Sequence, residues 1–450
     1  MRLSTKTQAD SRTATSAQVA IEKRQERPLG STVEDSMTKA KAGPPLLIDC
    51  LGVLVGEQRG ALRSITGLIK EIVRAAPDRC IIWVNRTSRR HFEMIVGREN
   101  CLVAPISGRN RTLRLLWQMV AGPIVAAWVR PRVYVSSSVF PMLGFSCPTA
   151  AFLRDLIPFH FPEVHGKVGL LLRGTLIRWG VSTAKAVLTV SQASASDIGS
   201  RFNKHVGRIF VVPNGADTCW AARESECNDQ ALLDQHGVSD RPFVLSILGG
   251  HLYKNPLGLA QAADLLCRQH RSEVQVVVVG DAVQQYANIP QPPNLRVLGV
   301  VNDRLLGALY RKARAMVYPT FLEGFGRPVI DAQALGLLVV CSDIPVLREI
   351  SGGAAIFVDP SRPTSIAAAI LTAVDEPDRW AGLVSLGYDN ASLYTWGRSL
   401  EAFLSACDQL SPGRSVHAEH AEERQLGEGT EQPANTGHGI NSVHGRPHAE

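Results

Sequence analysis

The chain has 450 residues, 45% of them hydrophobic and 20% charged, which is enough apolar material for two substantial cores. Its formal net charge of +7 permits attraction to anionic lipid, phosphorylated substrates or nucleic acid, but no nucleic-acid-binding signature supports the last of these. The nine cysteines are scattered without a CxxC pair, which excludes an obvious disulfide framework or zinc site and favours a reducing, cytoplasmic location.

The two ends of the chain differ in composition from its middle. Residues 1–43 are polar without apolar periodicity, and residues 411–450 are rich in Gly, His, Glu and Pro, so we expect two disordered tails. No secretory signal and no uncharged apolar run of about 18 residues occurs, so a soluble or peripheral protein is expected.

Between the tails, Val-, Ile- and Leu-rich runs alternate with longer amphipathic stretches, which predicts an α/β protein with parallel, doubly wound sheets. The first group of predicted strands is Leu46–Cys50, Cys80–Val84, Arg132–Ser136, Thr149–Phe152, Ala186–Val190 and Ile209–Val212. The second group is Phe243–Leu248, Val274–Val279, Leu295–Leu298, Ala315–Pro319, Leu337–Cys341 and Ala355–Val358. We therefore expect one Rossmann-like domain over residues 44–220, another over residues 221–390, and a terminal helix over residues 391–410. Such sheets bind ligands in the crevice at the carboxyl ends of their strands.

The strongest local signal follows the predicted strand Ala315–Pro319. There Glu323-Gly324-Phe325-Gly326-Arg327-Pro328 leads into a helix that runs through Asp331 to about Gly336. Glycines let the backbone approach a ligand closely, and the N–H groups of a helix start bind phosphate, so a diphosphate fits here. Glu323 and Asp331 are expected to face the same cleft. The alternative is a tight turn that buries Phe325 and leaves two solvated acids.

This segment resembles the retaining glycosyltransferases of the GT-B fold, family 4, whose signature is E-G-F-G followed by a second acid. Further similar segments occur in the family's order, at Val187–Ser191, Val212–Asp217, Asp343–Ile350 and Phe357–Pro360, so that the resemblance covers roughly residues 44–409. It implies two Rossmann-like domains facing each other across a cleft. The first domain would bind the acceptor, the second would bind a nucleotide sugar, and the terminal helix would pack back on the first.

The resemblance also assigns residues to the donor. By position, Glu323 contacts the transferred sugar and Asp331 the ribose, although the family usually has a second glutamate here. The donor site would further include Gly324, Phe325, Gly326, Arg327, His251 and Asn255. Lys254, beside Asn255, lies where the family places a basic pair on the diphosphate, so a cation could replace a metal or other cofactor. The usual arginine of that loop is absent, so Lys254 would act alone or with the help of His251 or Arg327. The alternative is a surface lysine at a helix start.

Two segments of the first domain match as well. Gly56 to Gly60, with Arg59, resembles the glycine-rich loop beside donor and acceptor, although an ordinary strand–helix turn explains it nearly as well. Arg154-Asp155-Leu156-Ile157-Pro158 matches a His-Asp-Leu-Ile-Pro segment of mannosyltransferase-like members, whose histidine lies at the reaction centre. An arginine cannot act as a base at neutral pH, so Arg154 and Asp155 are expected to contact the acceptor.

The segment from Arg109 to Arg132 combines arginines with Trp117 and Trp128. One interpretation is a helix that lies on an anionic membrane and brings the enzyme to a lipid-linked acceptor. The other is a domain helix whose apolar face is buried and whose ends are charged. We favour the buried helix.

The resemblance implies a retaining, metal-independent hexosyltransferase. It would transfer mannose from GDP-mannose to a glycan or lipid-linked acceptor in exopolysaccharide or lipopolysaccharide biosynthesis. We expect it in the cytoplasm, with peripheral contact at the inner membrane face as an option. The alternative is a catalytically weakened homologue that acts as a partner or scaffold subunit, because Arg154 and Asp331 depart from the family pattern.

Overall fold

The computed structural model describes residues 44–55, 59–76, 79–161, 167–202, 208–217, 229–238, 240–268 and 273–411. The expected N-terminal tail, the C-terminal tail beyond Ser411, and Gly56 of the glycine-rich loop lie outside the described residues.

The first sheet has seven parallel strands in the order β3-β2-β1-β4-β5-β6-β7. Its strands are β1 (Leu46–Asp49), β2 (Cys80–Val84), β3 (Cys101–Val103), β4 (Val133–Ser136), β5 (Thr149–Phe152), β6 (Ala186–Thr189) and β7 (Ile209–Val211). Its helices are α1 (Arg59–Ala75), α2 (Arg89–Val96), α3 (Arg111–Val129), α4 (Ile157–His160), α5 (Lys167–Thr183) and α6 (Gln192–Phe202). Side chains alternate across the sheet, so Leu46 and Ile48 enter one core cluster and Leu47 enters the cluster on the other face.

The second sheet has six parallel strands in the order β10-β9-β8-β11-β12-β13. Its strands are β8 (Phe243–Ile247), β9 (Gln275–Val279), β10 (Leu295–Gly299), β11 (Ala315–Tyr318), β12 (Val339–Ser342) and β13 (Ile356–Val358). Its helices are α7 (Asp229–Gln235), α8 (Pro256–Arg268), α9 (Val283–Tyr286), α10 (Asp303–Lys312), α11 (Arg327–Ala334), α12 (Pro345–Ile350), α13 (Pro363–Asp375) and α14 (Pro377–Ala391), with a 3-10 turn at Leu252–Lys254. Valine-rich strands such as Gln275–Val279 are buried on both faces because helices cover both.

The last helix, α15 (Trp396–Leu410), leaves the second sheet and packs on the first domain. Phe403, Cys407 and Leu410 join the core cluster that also holds strand β1. A buried ion pair fixes the helix end, because Arg132 Nη1 lies 2.5 Å from Asp408 Oδ1. In the structure the terminal helix therefore lies against the first domain.

Each predicted strand is present within about two residues, and one further strand was missed. Cys101–Val103 is a three-residue strand that pairs with β2 at the edge of the sheet, so its sequence carries too little periodicity to predict it.

The expectation of a buried helix between Arg109 and Arg132 is wrong for half of that helix. In α3 one face packs inward through Leu115, Gln118, Gly122 and Ala126. The opposite face is just as apolar and is exposed over its whole length. Helical periodicity cannot tell a buried helix from one that also offers an apolar outer face, since both read as a continuous apolar run.

Candidate active site

The chemistry-bearing residues gather where the strand order of the second sheet reverses. Strands β9 and β10 lie on one side of β8, and β11 to β13 lie on the other, so the loops after β8 and β11 diverge and leave a crevice between them. The loop after β8 supplies Lys254, and β11 with its following loop supplies Tyr318 and Glu323. These two loops therefore line the predicted crevice.

Lys254, Tyr318 and Glu323 form one connected polar cluster. The Lys254 ammonium donates a hydrogen bond to the Tyr318 hydroxyl at 2.9 Å and forms an ion pair with Glu323 Oε1. The Tyr318 hydroxyl in turn donates to the same carboxylate oxygen at 2.7 Å. Burial raises the pKa of Tyr318 well above its ordinary value, so the hydroxyl keeps its proton. The cluster thus holds a cation and an anion in place, at partly exposed positions facing the crevice.

The first domain contributes Asp155 to the same place. Asp155 Oδ1 accepts a hydrogen bond from Ile157 N at 3.1 Å, which closes a short turn before α4. Burial raises the pKa of Asp155, and the nearby Glu323 carboxylate raises it further, whereas Arg154 and Lys254 lower it. The two carboxylates and the lysine therefore interact electrostatically across the boundary between the domains.

Gly324 allows this close approach of the two domains. A Cβ at Gly324 would lie 2.8 Å from the Arg154 carbonyl oxygen and 3.1 Å from Asp155 Cβ, so a side chain would push the domains apart. The Gly324 carbonyl accepts hydrogen bonds from Ser191 Oγ at 2.8 Å and Ser194 Oγ at 3.1 Å. The sequence predicted that Gly324 lets the backbone approach a ligand. In the structure its close neighbour is the backbone of the first domain.

Helix α11 begins at the crevice without a side-chain cap. Its N-cap residue, Gly326, has φ +92, a left-handed conformation that favours glycine. A Cβ there would also lie 2.5 Å from Leu347 Cδ2, so both the backbone conformation and the available space require glycine. Phe325 is buried and lies edge-on to Tyr394 at 5.8 Å between ring centroids, as the tight-turn alternative expected. The uncapped N–H groups of this helix are suited to an anion.

Asp331 lies in α11 but is surrounded by a different set of residues from Glu323. Its Oδ1 accepts a hydrogen bond from Asp217 N at 3.0 Å, and the carboxyl group is almost fully buried. Burial raises the pKa of Asp331 to about 6, against the lowering effect of Arg327. Arg327 and the Asp217 N–H therefore offset part of the cost of burying the Asp331 carboxylate.

The Arg327 guanidinium faces Asp217 and Trp396. Its Nη2 lies 3.6 Å from Asp217 Oδ2, and its Cζ lies 5.8 Å from the centre of the Trp396 ring. None of its three side-chain nitrogens forms a hydrogen bond with a described residue, although all three are buried. Its described neighbours belong to the junction between the domains, which gives no support to an assisting role beside Lys254.

Asn255 has a structural role. It adopts a left-handed conformation with φ 61, and its Nδ2 donates to the carbonyl groups of Pro319 and Pro360 at 3.0 and 2.7 Å. Its Oδ1 accepts from Gly258 N at 3.0 Å and caps α8. These bonds occupy the side chain, so the expected contact between this side chain and the donor is not supported.

His251 lies at the rim of the same crevice. Its ring stacks on Tyr253 with centroids 5.3 Å apart, and it is exposed. Partial burial lowers the pKa of His251, and Lys254 lowers it further, so the ring is neutral at pH 7. A neutral imidazole can accept or donate a hydrogen bond here but does not add to the charge of Lys254.

Arg154 directs its guanidinium into the first domain. The group lies 5.7 Å from the Phe152 ring centre and lines a small cavity with Ser64, Asn214 and Trp396. Burial lowers the pKa of Arg154, and its Nε has no hydrogen-bond partner among the described residues. The residue that faces Lys254 and Glu323 is thus Asp155, next to the position that resembled the family's histidine.

Gly60 of the expected glycine-rich loop lies in the first turn of α1, where a Cβ added to the glycine would meet no described atom within 4 Å. Arg59 begins the same helix. Because Gly56 and its two following residues lie outside the described part of the chain, the glycine-rich loop stays a prediction.

Three residues at the site were missed from the sequence. Tyr318 is the last residue of a buried strand, and a polar aromatic at the carboxyl end of a parallel strand was the available signal. Ser191 and Glu349 join the domains, since both Glu349 carboxylate oxygens accept from the first N–H groups of α6, at 2.7 Å from Gln192 N and 2.8 Å from Ala193 N. No single-sequence pattern pairs residues so far apart in the chain.

Two parallel sheets that meet at such a crevice define the GT-B class of glycosyltransferase folds. A structure of Anabaena HepE in complex with UDP and glucose matches with a TM-score of 0.61 at 17% identity, and the match covers 82% of this chain and 100% of that one. Residues 229–384 match the family described as Glycosyl transferases group 1, so this region of the chain is similar to that family.

Two curated relatives share its sequence more closely. The O-antigen chain mannosyltransferase B of Escherichia coli is 31% identical over 252 residues, which are 54% of this chain and 65% of that protein. The O-antigen chain mannosyltransferase RfbU of Salmonella typhimurium is 24% identical over 286 residues, which are 62% of this chain and 76% of that protein. The match therefore spans slightly less than two thirds of the first of these relatives.

Proposed function

We propose that this chain transfers mannose from GDP-mannose, with retention of configuration, to an acceptor in the synthesis of a bacterial polysaccharide. The cluster of Lys254, Tyr318 and Glu323 beside the uncapped start of α11 carries this proposal, because it offers a cation, an anion and free N–H groups within one crevice. The two mannosyltransferases among the relatives support the choice of sugar.

In this proposal the diphosphate of the donor lies between Lys254 and the first turn of α11. The ammonium and the helix N–H groups stabilise the negative charge that grows on the diphosphate as the bond between it and the sugar breaks. Glu323 binds hydroxyl groups of the sugar and holds Lys254 in position. No nucleophilic side chain and no metal takes part.

The acceptor hydroxyl approaches the sugar from the side of the first domain, where Asp155 lies. Its oxygen forms the new bond to the anomeric carbon on the face that the diphosphate leaves, and its proton passes to the departing diphosphate. Asp155 orients the hydroxyl by accepting a hydrogen bond. Because the two domains meet at Gly324 and Asp155, donor and acceptor are brought together only when the domains are in contact.

Turnover of GDP-mannose by Glu323→Gln tests the proposal. The variant keeps the shape of the side chain but loses the charge, so kcat should fall by about 100-fold while GDP affinity changes by less than about threefold. Glu376→Gln, at an exposed ion pair with Arg379, is the matched control and should behave like the natural chain. If none of GDP, UDP, ADP and dTDP raises the melting temperature at millimolar concentration, the donor site is refuted. If EDTA abolishes activity and manganese restores it, metal independence is refuted.

A further inference from the structure

Helix α3 has an exposed apolar face that takes no part in the crevice. Five large apolar side chains, which we call the apolar stripe, have exposed fractions between 52% and 73%: Leu113, Leu116, Val120, Ile124 and Trp128. Their spacing of three and four residues places them on one side of the helix, opposite Leu115, Gln118, Gly122 and Ala126. Leu143 is also exposed, in a loop that touches Pro123 of the same helix through Gly144. On α5, which packs on the same core cluster, Leu171 and Trp179 are exposed too.

The charged residues of the segment that carries the apolar stripe are all positive. Between Glu99 and Asp155 the chain has no acidic residue, and its charged residues there are arginines. Arg111 and Arg114 stand at the start of α3, while Arg130 is exposed just past its end. Partial burial together with Arg111 and Arg114 lowers the pKa of Arg173 to about 10, since the three guanidinium groups lie close together. We call Arg111, Arg114 and Arg173 the arginine cluster.

The arginine cluster lies at the cleft end of the helix. Helices run antiparallel to the strands they follow, so the start of α3 is at the carboxyl edge of the first sheet. There a Cβ at Gly52 would lie 3.6 Å from Arg114 Cζ and 3.4 Å from Ser138 Oγ. Arg114 Nε and Ser138 Oγ are buried without a hydrogen-bond partner among the described residues. Unpaired donors beside a cluster of cations are suited to an anionic group such as a phosphate.

We propose that the apolar stripe and the arginine cluster dock the first domain on an anionic membrane, with α3 lying in the plane of the lipid–water interface. Apolar side chains enter the acyl region and the guanidinium groups bind lipid phosphates, which is the combination that anchors interfacial helices. Docking in this orientation brings the mouth of the crevice to the membrane surface. Resting on the proposed function, this identifies the acceptor as a saccharide carried on a lipid phosphate.

A helix of 19 residues with this composition is long enough to cross a bilayer, but its contacts hold it on the protein. Gln118 donates to the fully buried carboxylate of Asp49 at 2.5 Å, at the end of the interior strand β1. A spanning helix would remove this donor and expose the core side of Leu115 and Ala126. A second copy of the chain is a poorer occupant, because a two-fold contact through this face would bring like charges together.

Cosedimentation with vesicles tests the docking. The full chain should bind vesicles of phosphatidylcholine with about 30% phosphatidylglycerol at least tenfold more tightly than pure phosphatidylcholine, and salt should weaken the binding. Ile124→Glu with Trp128→Glu should reduce binding to the anionic vesicles by at least tenfold, and Arg111→Glu should reduce its dependence on salt. Leu386→Glu, at an exposed apolar position on α14 of the second domain, is the matched control and should bind like the natural chain.

Equal binding of both vesicle types, or unchanged binding of the Ile124/Trp128 variant, would overturn the proposal. So would a dimer of the natural chain that this variant converts to a monomer while vesicle binding persists, since the stripe would then join two copies. The variant should keep its thermal stabilisation by GDP, because its substitutions lie outside the crevice. Failure of the proposed function would appear instead as loss of that stabilisation in every form of the protein, with vesicle binding intact.

Discussion

Lys254 in the crevice forms an ion pair within the protein itself. Lys254 shares Glu323 with Tyr318, and a bound diphosphate would add a second anion to a cation that has one. Because Lys254 and Glu323 are both mostly shielded from water, each depends on the other for stabilisation of its charge. The pair therefore holds the ammonium group in a fixed position beside the carboxylate.

Lys254→Ala should weaken the binding of GDP by about 1.5–3 kcal/mol, the usual contribution of a hydrogen bond to a charged group. Guanosine has no phosphate and should bind the variant as it binds the natural chain in calorimetric titrations. Lys312→Ala, at an exposed position on α10, serves as the control. Equal losses for GDP and guanosine would place the diphosphate away from Lys254.

Asp331 makes stability depend on pH. Its pKa is about 6 in the folded chain and ordinarily 3.8, so between these values the folded chain holds a proton that the unfolded chain has released. Raising the pH from about 4 to 6 therefore lowers the free energy of unfolding, by up to about 3 kcal/mol from this group. Asp331→Asn should lack this loss. Urea unfolding of both proteins between pH 4 and 7 isolates it, and parallel curves would show that Asp331 is not buried as described.

The sequence predicted where the site lies more reliably than it predicted the contacts of each residue there. Glu323, Lys254 and Asp155 were predicted and do lie together, because loops after neighbouring strands of a doubly wound sheet must meet at the crevice. Asn255 and Gly324 were given to the donor, yet the first caps a helix and the second admits the backbone of the other domain. Both roles depend on residues far away in the chain, which spacing along one sequence does not encode.

At the level of elements, the loop after β11 contacts the segment before α4 closely because Gly324 has no side chain. Gly324→Ala would place a methyl group 2.8 Å from the Arg154 carbonyl oxygen, so the two segments must separate. We expect a loss of at least tenfold in kcat/KM because positioning across the cleft is disturbed. GDP binding, which involves the second domain, should persist.

Gly382→Ala is the matched substitution, since no described atom lies within 4 Å of a Cβ there and Gly382 is inside α14. Alanine should stabilise this helix by about 0.5–1 kcal/mol and leave activity unchanged. Urea unfolding and steady-state kinetics on both variants give the comparison. Normal activity of Gly324→Ala would mean that domain contact at this glycine is not needed for turnover.

Strands were easier to predict than the environment of α3. Runs such as Val276–Val279 are short and apolar at every position, which is typical of a strand covered on both faces. For α3 the same continuous apolar character led to a buried helix, whereas half of it faces outward. What covers a helix is decided by neighbours, and the sequence of the helix does not contain them.

At the level of the whole molecule, the last helix fastens the second domain to the first. Asp408→Ala would leave Arg132 buried with its charge unpaired, which should destabilise the first domain by roughly 3 kcal/mol. Arg132→Met combined with Asp408→Leu should recover most of the loss, since neither charge then remains. Glu401→Ala, exposed on the same helix, is the control. Scanning calorimetry measures the change, and an unchanged transition in Asp408→Ala would show that the pair does not hold the helix.

The two places where the chain passes between the domains lie side by side. Ala216 N donates to Tyr394 O at 2.8 Å, and a Cβ at Gly215 would lie 2.6 Å from Trp396 N. The first domain is thus a nearly continuous protein into whose chain the second domain has been inserted, with entry and exit at one point. Joining Ala216 to Thr395 by a short peptide would excise the insertion without moving the remaining ends, and a different nucleotide-binding domain could be spliced in at the same two residues.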